Sequence, residues 1–261
     1  MSDAEPPTRI DAALPARIGD YEIQSKLGAG GMGTVYLGKH DTTKELVAVK
    51  VLSASLAQEP GVVPRFRREI EALGKLKGMH IVALLDSGED RETGQLYFAM
   101  DYVAGQTLTD LLRAEKRLSW EEAVDIALQI CAGLKSAHMA GVIHRDIKPS
   151  NLLIGNDGLV RLTDFGVAQL FATQRLTVTG GIIGTAEYMS PEQAEGRRCT
   201  KQSDLYSLGA VMYVMLTGRP PFTGTGAIDI IRKHLTARFD RPSMYASQIP
   251  RLLDDIVCQL L

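Results

Sequence analysis

The pattern of apolar and polar positions changes period along this chain, with the switch near Gly105. From Tyr21 it is strand-like: apolar and β-branched residues gather at 21–23, at 34–38 and, almost without a break, at 46–52. Glycines between the first two runs predict a hairpin. Pro64 then opens a helix where its missing N–H is harmless, and Phe66, Ile70, Leu73 and Leu76 recur on one face. Arg65, Arg67 and Arg68 fall off that face and read as a solvated surface. Strand signals return at 81–85 and 96–102, completing a small β-rich lobe with one helix.

After Gly105 the character turns helical. Ser119 and Glu122 form a capping box, each side chain satisfying an orphan backbone N–H. Behind it Val124, Ala127, Leu128, Cys131 and Leu134 are expected to form a core-facing stripe, with Gly141 as the stop. Further helices are expected over 203–217, 227–236 and 249–261. Residues 1–19, rich in Pro, Ala, Asp and Arg without periodicity, read as a flexible leader. The domain proper is then 20–261, with a first lobe over about 20–103 and a second over about 104–261.

Composition narrows the classes. At 261 residues and 45% hydrophobic, the chain can bury a real core, in one large domain or two lobes. A formal charge of −2 supplies no field for nucleic acid or an anionic membrane, so neither is expected as a partner. Cys131, Cys199 and Cys258 have no paired spacing, which points to a reducing cytoplasm rather than a disulfide or zinc framework. The polar N-terminus is not a signal peptide, and the longest apolar run, 210–216, is too short to span a bilayer. The segment is therefore expected in the cytoplasm, alone or as the cytoplasmic part of a longer membrane-anchored protein.

Candidate chemistry gathers in a few places. Gly28, Gly30 and Gly33 allow a backbone to approach phosphates closely, and the strand that follows them argues against a dinucleotide turn, which would open a helix. Lys50 ends an apolar strand. His144-Arg145-Asp146-Ile147-Lys148-Pro149-Ser150-Asn151 and Asp164-Phe165-Gly166 bring two carboxylates, an amide and a lysine into short order. Phosphoryl transfer needs just such positioning and charge neutralisation.

Taken with Gly28-Ala29-Gly30-Gly31-Met32-Gly33-Thr34-Val35 and Val47-Ala48-Val49-Lys50, these motifs resemble the eukaryotic-like (Hanks-type) protein serine/threonine kinases, from Tyr21 to the C-terminus. The resemblance implies an α+β, bilobal protein-kinase fold: a small antiparallel β-rich N-lobe, a larger mainly helical C-lobe, and ATP with Mg²⁺ (or Mn²⁺) between them. Asp146 would be the catalytic base and Lys148 would neutralise the γ-phosphate. Lys50 would contact the α- and β-phosphates and pair with Glu69, chosen over Glu71 by its distance from 81–82, where Gly78-Met79 replaces the usual His-Pro. Asn151 and Asp164 would hold the metal. The 28–33 loop would cover the nucleotide. Leu27, Val35 and Ala48 would enclose the adenine, with Leu153, the gatekeeper Met100 and the hinge residues Asp101 and Val103. His144 and Phe165 would pack with Leu73 and Leu84 as a spine anchored by Asp204.

Lys148 in its D-x-K-x-x-N setting is similar to serine/threonine kinases, which implies Ser and Thr hydroxyls on protein substrates. The 176–188 segment resembles the activation loop of bacterial kinases of the PknB type. On that resemblance Thr177 and Thr179 are autophosphorylation sites, modified in trans by a second copy and opposite Arg145. Thr185 would bond the base and Lys148. Ser190-Pro191-Glu192 stands where the family has A-P-E. The arginine that normally pairs with this glutamate is not reached before Leu261, so the C-lobe reads as truncated, leaving Glu192 to take a proton, rotate to solvent or recruit another cation, with Arg197 and Arg198 nearby. A non-catalytic, kinase-like scaffold is the alternative.

Overall fold

A computed structural model describes residues 14–30, 33–53, 61–165 and 183–261. The first lobe is one antiparallel sheet of β1 (Arg17–Ile18), β2 (Tyr21–Gly30), β3 (Gly33–His40), β4 (Leu46–Leu52), β5 (Leu84–Glu89) and β6 (Leu96–Asp101), in the order β1-β2-β3-β4-β6-β5. Strand β4 is buried on both sides, which explains its near-continuous apolar run. Val47, Val49 and Val51 join Ile18, Tyr21 and Tyr97 in an outer cluster. Ala48 and Leu52 face the opposite way, into the main core, and the period of two puts Lys50 on their side. Helix α1 (Val62–Leu73) buries Phe66, Ile70 and Leu73 against that side, leaving Arg65, Arg67 and Arg68 in solvent.

The second lobe holds α2 (Leu108–Glu115), α3 (Trp120–Met139), α4 (Ile183–Ala186), α5 (Pro191–Ala194), α6 (Lys201–Thr217), α7 (Ala227–Thr236) and α8 (Arg251–Leu260). A small sheet, β7 (Gly105–Thr107), β8 (Leu152–Gly155) and β9 (Val160–Leu162), lies under the first lobe. Helix α6 is buried nearly all round, and α3 and α8 pack against it. Among the described residues no helix is long and apolar enough to cross a membrane.

Three expectations need correction. The leader is shorter than 1–19: Ile18 is buried, β1 pairs with β2, and the Gly19 N–H donates to the buried Asp90 carboxylate at 3.0 Å. Residues 1–13 lie outside the described residues. The strand expected at 81–85 begins only at Leu84, because Ile81 and Val82 pair with the other lobe instead: the Val82 N–H donates to the Leu162 carbonyl at 2.9 Å. The stripe on α3 is rotated. Its buried face is Ala123, Ile126, Ala127, Ile130, Gly133, Leu134 and Ala137, whereas Leu128 and Cys131 are exposed. The Ser119–Glu122 capping box is formed, and the helix stops before Gly141, whose φ is 78°.

Candidate active site

The site grows from three pieces of backbone that converge where the lobes meet. From the first lobe, β4 carries Lys50, whose neighbours across the sheet are Val35 and Phe98. Its ammonium is buried and bonds the Asp164 carboxylate at 2.6 Å. Asp164 follows β9 with a φ of 61°, an unusual conformation for a non-glycine residue that aims its side chain at the first lobe. The expected partner Glu69 is not engaged: it is partly buried on α1 and forms no ion pair among the described residues. The nearer carboxylate takes the lysine.

The second piece is the loop between α3 and the short 3₁₀ turn Pro149–Asn151. Asn151 Nδ2 donates to the Asp146 carbonyl at 2.8 Å and to Asp146 Oδ2 at 2.9 Å. Lys148 Nζ lies 2.9 Å from the same Oδ2 and donates to Thr185 Oγ1 at 3.0 Å. One carboxylate oxygen of Asp146 is thus held from two sides, and among the described residues the other accepts no side-chain hydrogen bond. Asn151, having turned its NH₂ towards Asp146, presents its Oδ1 on the other side, where the Ser150 hydroxyl donates to it at 3.5 Å.

Asp204, in the first turn of α6, fixes this loop from below. It accepts from the backbone N–H of His144 at 2.9 Å and of Arg145 at 2.7 Å, and meets His138 Nε2 at 2.7 Å. His144 is fully buried, and burial pushes its pKa below the ordinary imidazole value. Its Nδ1 accepts from the Asp146 N–H at 3.3 Å, so its proton sits on Nε2, facing the Thr163 carbonyl at 3.0 Å. The ring packs on Phe165, centroids 4.3 Å apart. Phe165, Leu73 and Leu84 line a small apolar cavity of about 30 Å³ together with Met100, whose sulfur lies 3.6 Å from the Thr163 hydroxyl.

The other nucleotide candidates divide. Ala48 and Met100 are buried in one cluster with Val35, Val103 and Leu153 against it, drawn from both lobes. Leu27 is 45% exposed and outside that cluster. Asp101 ends β6, with its N–H donating to the Ala83 carbonyl at 3.0 Å. Gly28, Ala29 and Gly30 end β2, and Gly33 begins β3 with a φ of 146°, where a Cβ would meet the Val51 carbonyl oxygen at 1.9 Å. Only glycine fits there. Gly31, Met32, Gly166, Thr177 and Thr179 lie outside the described residues.

Sequence reasoning missed two supports. His138 reaches Asp204 from the last turn of α3, and nothing in its spacing marks it. Gln193 Nε2 donates to the Arg145 carbonyl at 2.7 Å while its Oε1 accepts from the Ser190 N–H, a capping box legible as Ser190-x-x-Gln193. Glu192 also departs from expectation: it accepts from the Ser203 hydroxyl, and Arg197 pairs with Glu195 instead. The serine lies in the first turn of α6.

The residues present fit a magnesium nucleotide. Among the described residues no group of three or more His, Cys, Asp or Glu forms a self-sufficient metal cage. Asn151 and Asp164 offer two hard oxygen ligands, the number Mg²⁺ takes from a protein when phosphates and water complete its octahedron.

A β-rich lobe over a helical one, with a buried lysine, a paired carboxylate and an Asp–Lys–Thr chain where they meet, is the arrangement of the protein-kinase fold. Residues 21–261 match the protein kinase domain family, and the chain belongs to it. It is 38% identical over 97% of its length to a probable serine/threonine-protein kinase PknB of Bifidobacterium longum, covering 38% of that protein. It is 39% identical over 95% of its length to the serine/threonine-protein kinase PknB of Mycobacterium tuberculosis, covering 40% of it. The chain thus spans about two fifths of the length of these relatives. Among solved structures it is similar to the Mycobacterium tuberculosis PknI kinase domain: TM-score 0.75, 28% identity, 96% of this chain and 91% of that one covered.

Proposed function

We propose that this chain is an ATP-dependent protein serine/threonine kinase that transfers the γ-phosphoryl group to Ser or Thr hydroxyls of proteins, working in the cytoplasm where ATP is supplied. The observation that carries the reading is Asp146, one of whose oxygens is fixed by Asn151 and Lys148 while Lys148 is tied to Thr185. The free oxygen of Asp146 takes the acceptor hydroxyl's proton or orients it for in-line attack. Lys148 balances charge that develops on the transferred group, in a position set by two bonds before any substrate arrives. Asn151 and Asp164 would hold Mg²⁺, which supplies neutralisation of the phosphate oxygens. Lys50 and the 28–33 loop hold the phosphates. The apolar positions Val35, Ala48, Met100, Val103 and Leu153 take the adenine, with Leu27 at their edge and Asp101 offering main-chain groups.

Lys50 has two possible partners in this reading. In the bond to Asp164 it competes for a metal ligand, and exchange of that bond for one to Glu69 frees Asp164. A charge placed on the activation loop would favour that exchange. Arg145 supports this: among the described residues its Nε is buried without a hydrogen-bond partner, a strong donor suited to a phosphate. Thr177 and Thr179 are the proposed phosphate carriers, modified in trans by a second copy of the chain.

The reading is tested by incubating the purified chain with radiolabelled ATP, Mg²⁺ and a general protein acceptor, followed by phosphoamino-acid analysis. Label on phosphoserine and phosphothreonine is expected. No transfer, with nucleotide binding intact, would instead favour a kinase-like scaffold.

A further inference from the structure

The rotation of α3 leaves an apolar stripe exposed among the described residues. Leu128 is 62% exposed and Met139 78% exposed, with the exposed Cys131 between them on the same helical face. The eleven-residue spacing from Leu128 to Met139 covers roughly 16 Å along the helix at ~1.5 Å per residue. At its C-terminal half the stripe runs into a groove of about 310 Å³ between α3 and the start of α6, where Leu134 forms part of the lining and Leu205 lies 38% exposed. The rim is cationic. Lys135 and Lys201 flank the groove from its two helices, and neither forms an ion pair among the described residues. His138 lines it as well, with its Nε2 committed to Asp204. Among the described residues no carboxylate lines the groove.

Two ammonium groups on the rim of an apolar floor, with no carboxylate in its lining among the described residues, complement a ligand that is both acidic and aliphatic. We propose that the α3–α6 groove is a docking site for an acidic, aliphatic peptide segment of a protein partner, with aliphatic side chains on Cys131, Leu134, Met139 and Leu205 and carboxylates at Lys135 and Lys201. The length of the stripe favours an extended or helical segment over a single small anion. The site lies on the far side of the Asp204 anchor from Asp146. His138 touches both the groove and that anchor, so an occupant sits one side chain away from the carboxylate that holds His144 and Arg145.

The test is a binding measurement that needs no catalysis, so its outcome is separable from that of the kinase reading. A short fluorescein-labelled peptide of alternating Glu and Leu is titrated with the whole chain at physiological salt and followed by fluorescence anisotropy. Saturable binding is expected, weakened at least tenfold by the double change Lys135→Glu, Lys201→Glu and by Leu205→Asp. Both variants should retain the parent's thermal midpoint, because all three side chains are exposed. Restored binding of a Lys–Leu peptide to the charge-reversed variant would add direct support. Equal binding of parent and variants would overturn the proposal. So would equal binding of a Glu–Gly peptide, which would mean charge attraction alone, or capture by phosphatidylserine vesicles with no saturable peptide binding.

Discussion

Asp204 is a single carboxylate on which a whole loop hangs. Its two oxygens receive two backbone N–H groups and an imidazole, and it is almost completely buried. Replacing it by Ala leaves two buried donors without acceptors, each worth ~1–3 kcal/mol. Asp204→Ala should therefore lower the unfolding free energy by about 2–5 kcal/mol, read by urea denaturation. A loss below about 1 kcal/mol would mean water replaces the carboxylate. His234 makes a second residue-scale case. Burial between Tyr206 and Phe222 pulls its pKa down to about 4, so it folds neutral. In the unfolded chain it takes a proton near its ordinary value, ~6.5. Its contribution is thus fully present above that value and is lost as pH falls towards 4. The stability difference between the parent and His234→Gln should shrink by a few kcal/mol from pH 7 to pH 4, at about 1.4 kcal/mol per pKa unit. A difference that is flat across this range would show that the imidazole reaches solvent.

At the scale of elements, α3 is where pattern reading and packing part. Its sequence is apolar over several adjacent positions, so two overlapping stripes can be drawn on it. Periodicity alone does not choose between them, because Ala and Gly at 123, 127, 133 and 137 carry little hydrophobic signal yet allow the closest approach. Gly133 faces the second lobe's sheet: a Cβ there would come 2.5 Å from the Leu162 side chain and 2.7 Å from the His80 carbonyl. The register is checked by a pair of substitutions. Ile130→Ala, at a fully buried position, should cost ~2–5 kcal/mol, and Leu128→Glu should stay within ~0.5 kcal/mol of the parent. The reverse order would restore the stripe read from the sequence. The same limit applies elsewhere. Strands β4 and β6 and the cap of α3 were legible because a continuous apolar run and an S-x-x-E box each have one physical solution. The start of β5 was not legible, since Ile81 and Val82 are apolar for a partner in the other lobe. Of the candidate site residues, the sequence showed the types and their order, and the structure brings Lys50 to Asp164 and Asp146 to Lys148 and Asn151. The choice of Asp164 over Glu69 by Lys50 depends on a backbone angle that no local pattern encodes.

On the scale of the molecule, the Lys50–Asp164 bond and the Val82–Leu162 pairing both run from one lobe to the other. The first lies in the proposed nucleotide cleft, and the second joins backbone to backbone outside it. Activation would then act on the Lys50 bond and leave the Val82 junction in place. Phosphate is expected on Thr177 or Thr179, located by mass spectrometry on active protein. The double alanine variant should be several-fold slower, through loss of a charge facing Arg145. A variant as fast as the parent, or phosphate found only within residues 1–19, would exclude loop control. The measurement that bears most directly on the whole account is transfer to a protein acceptor by Asp146→Asn beside the parent chain, with nucleotide affinity measured on both. Loss of a general base at this position should reduce kcat by about 10²- to 10⁴-fold while nucleotide affinity changes little, because the proposed nucleotide contacts, Lys50, Asp164 and the glycine loop, are untouched. Turnover within a few-fold of the parent would contradict it and remove Asp146 from the chemistry.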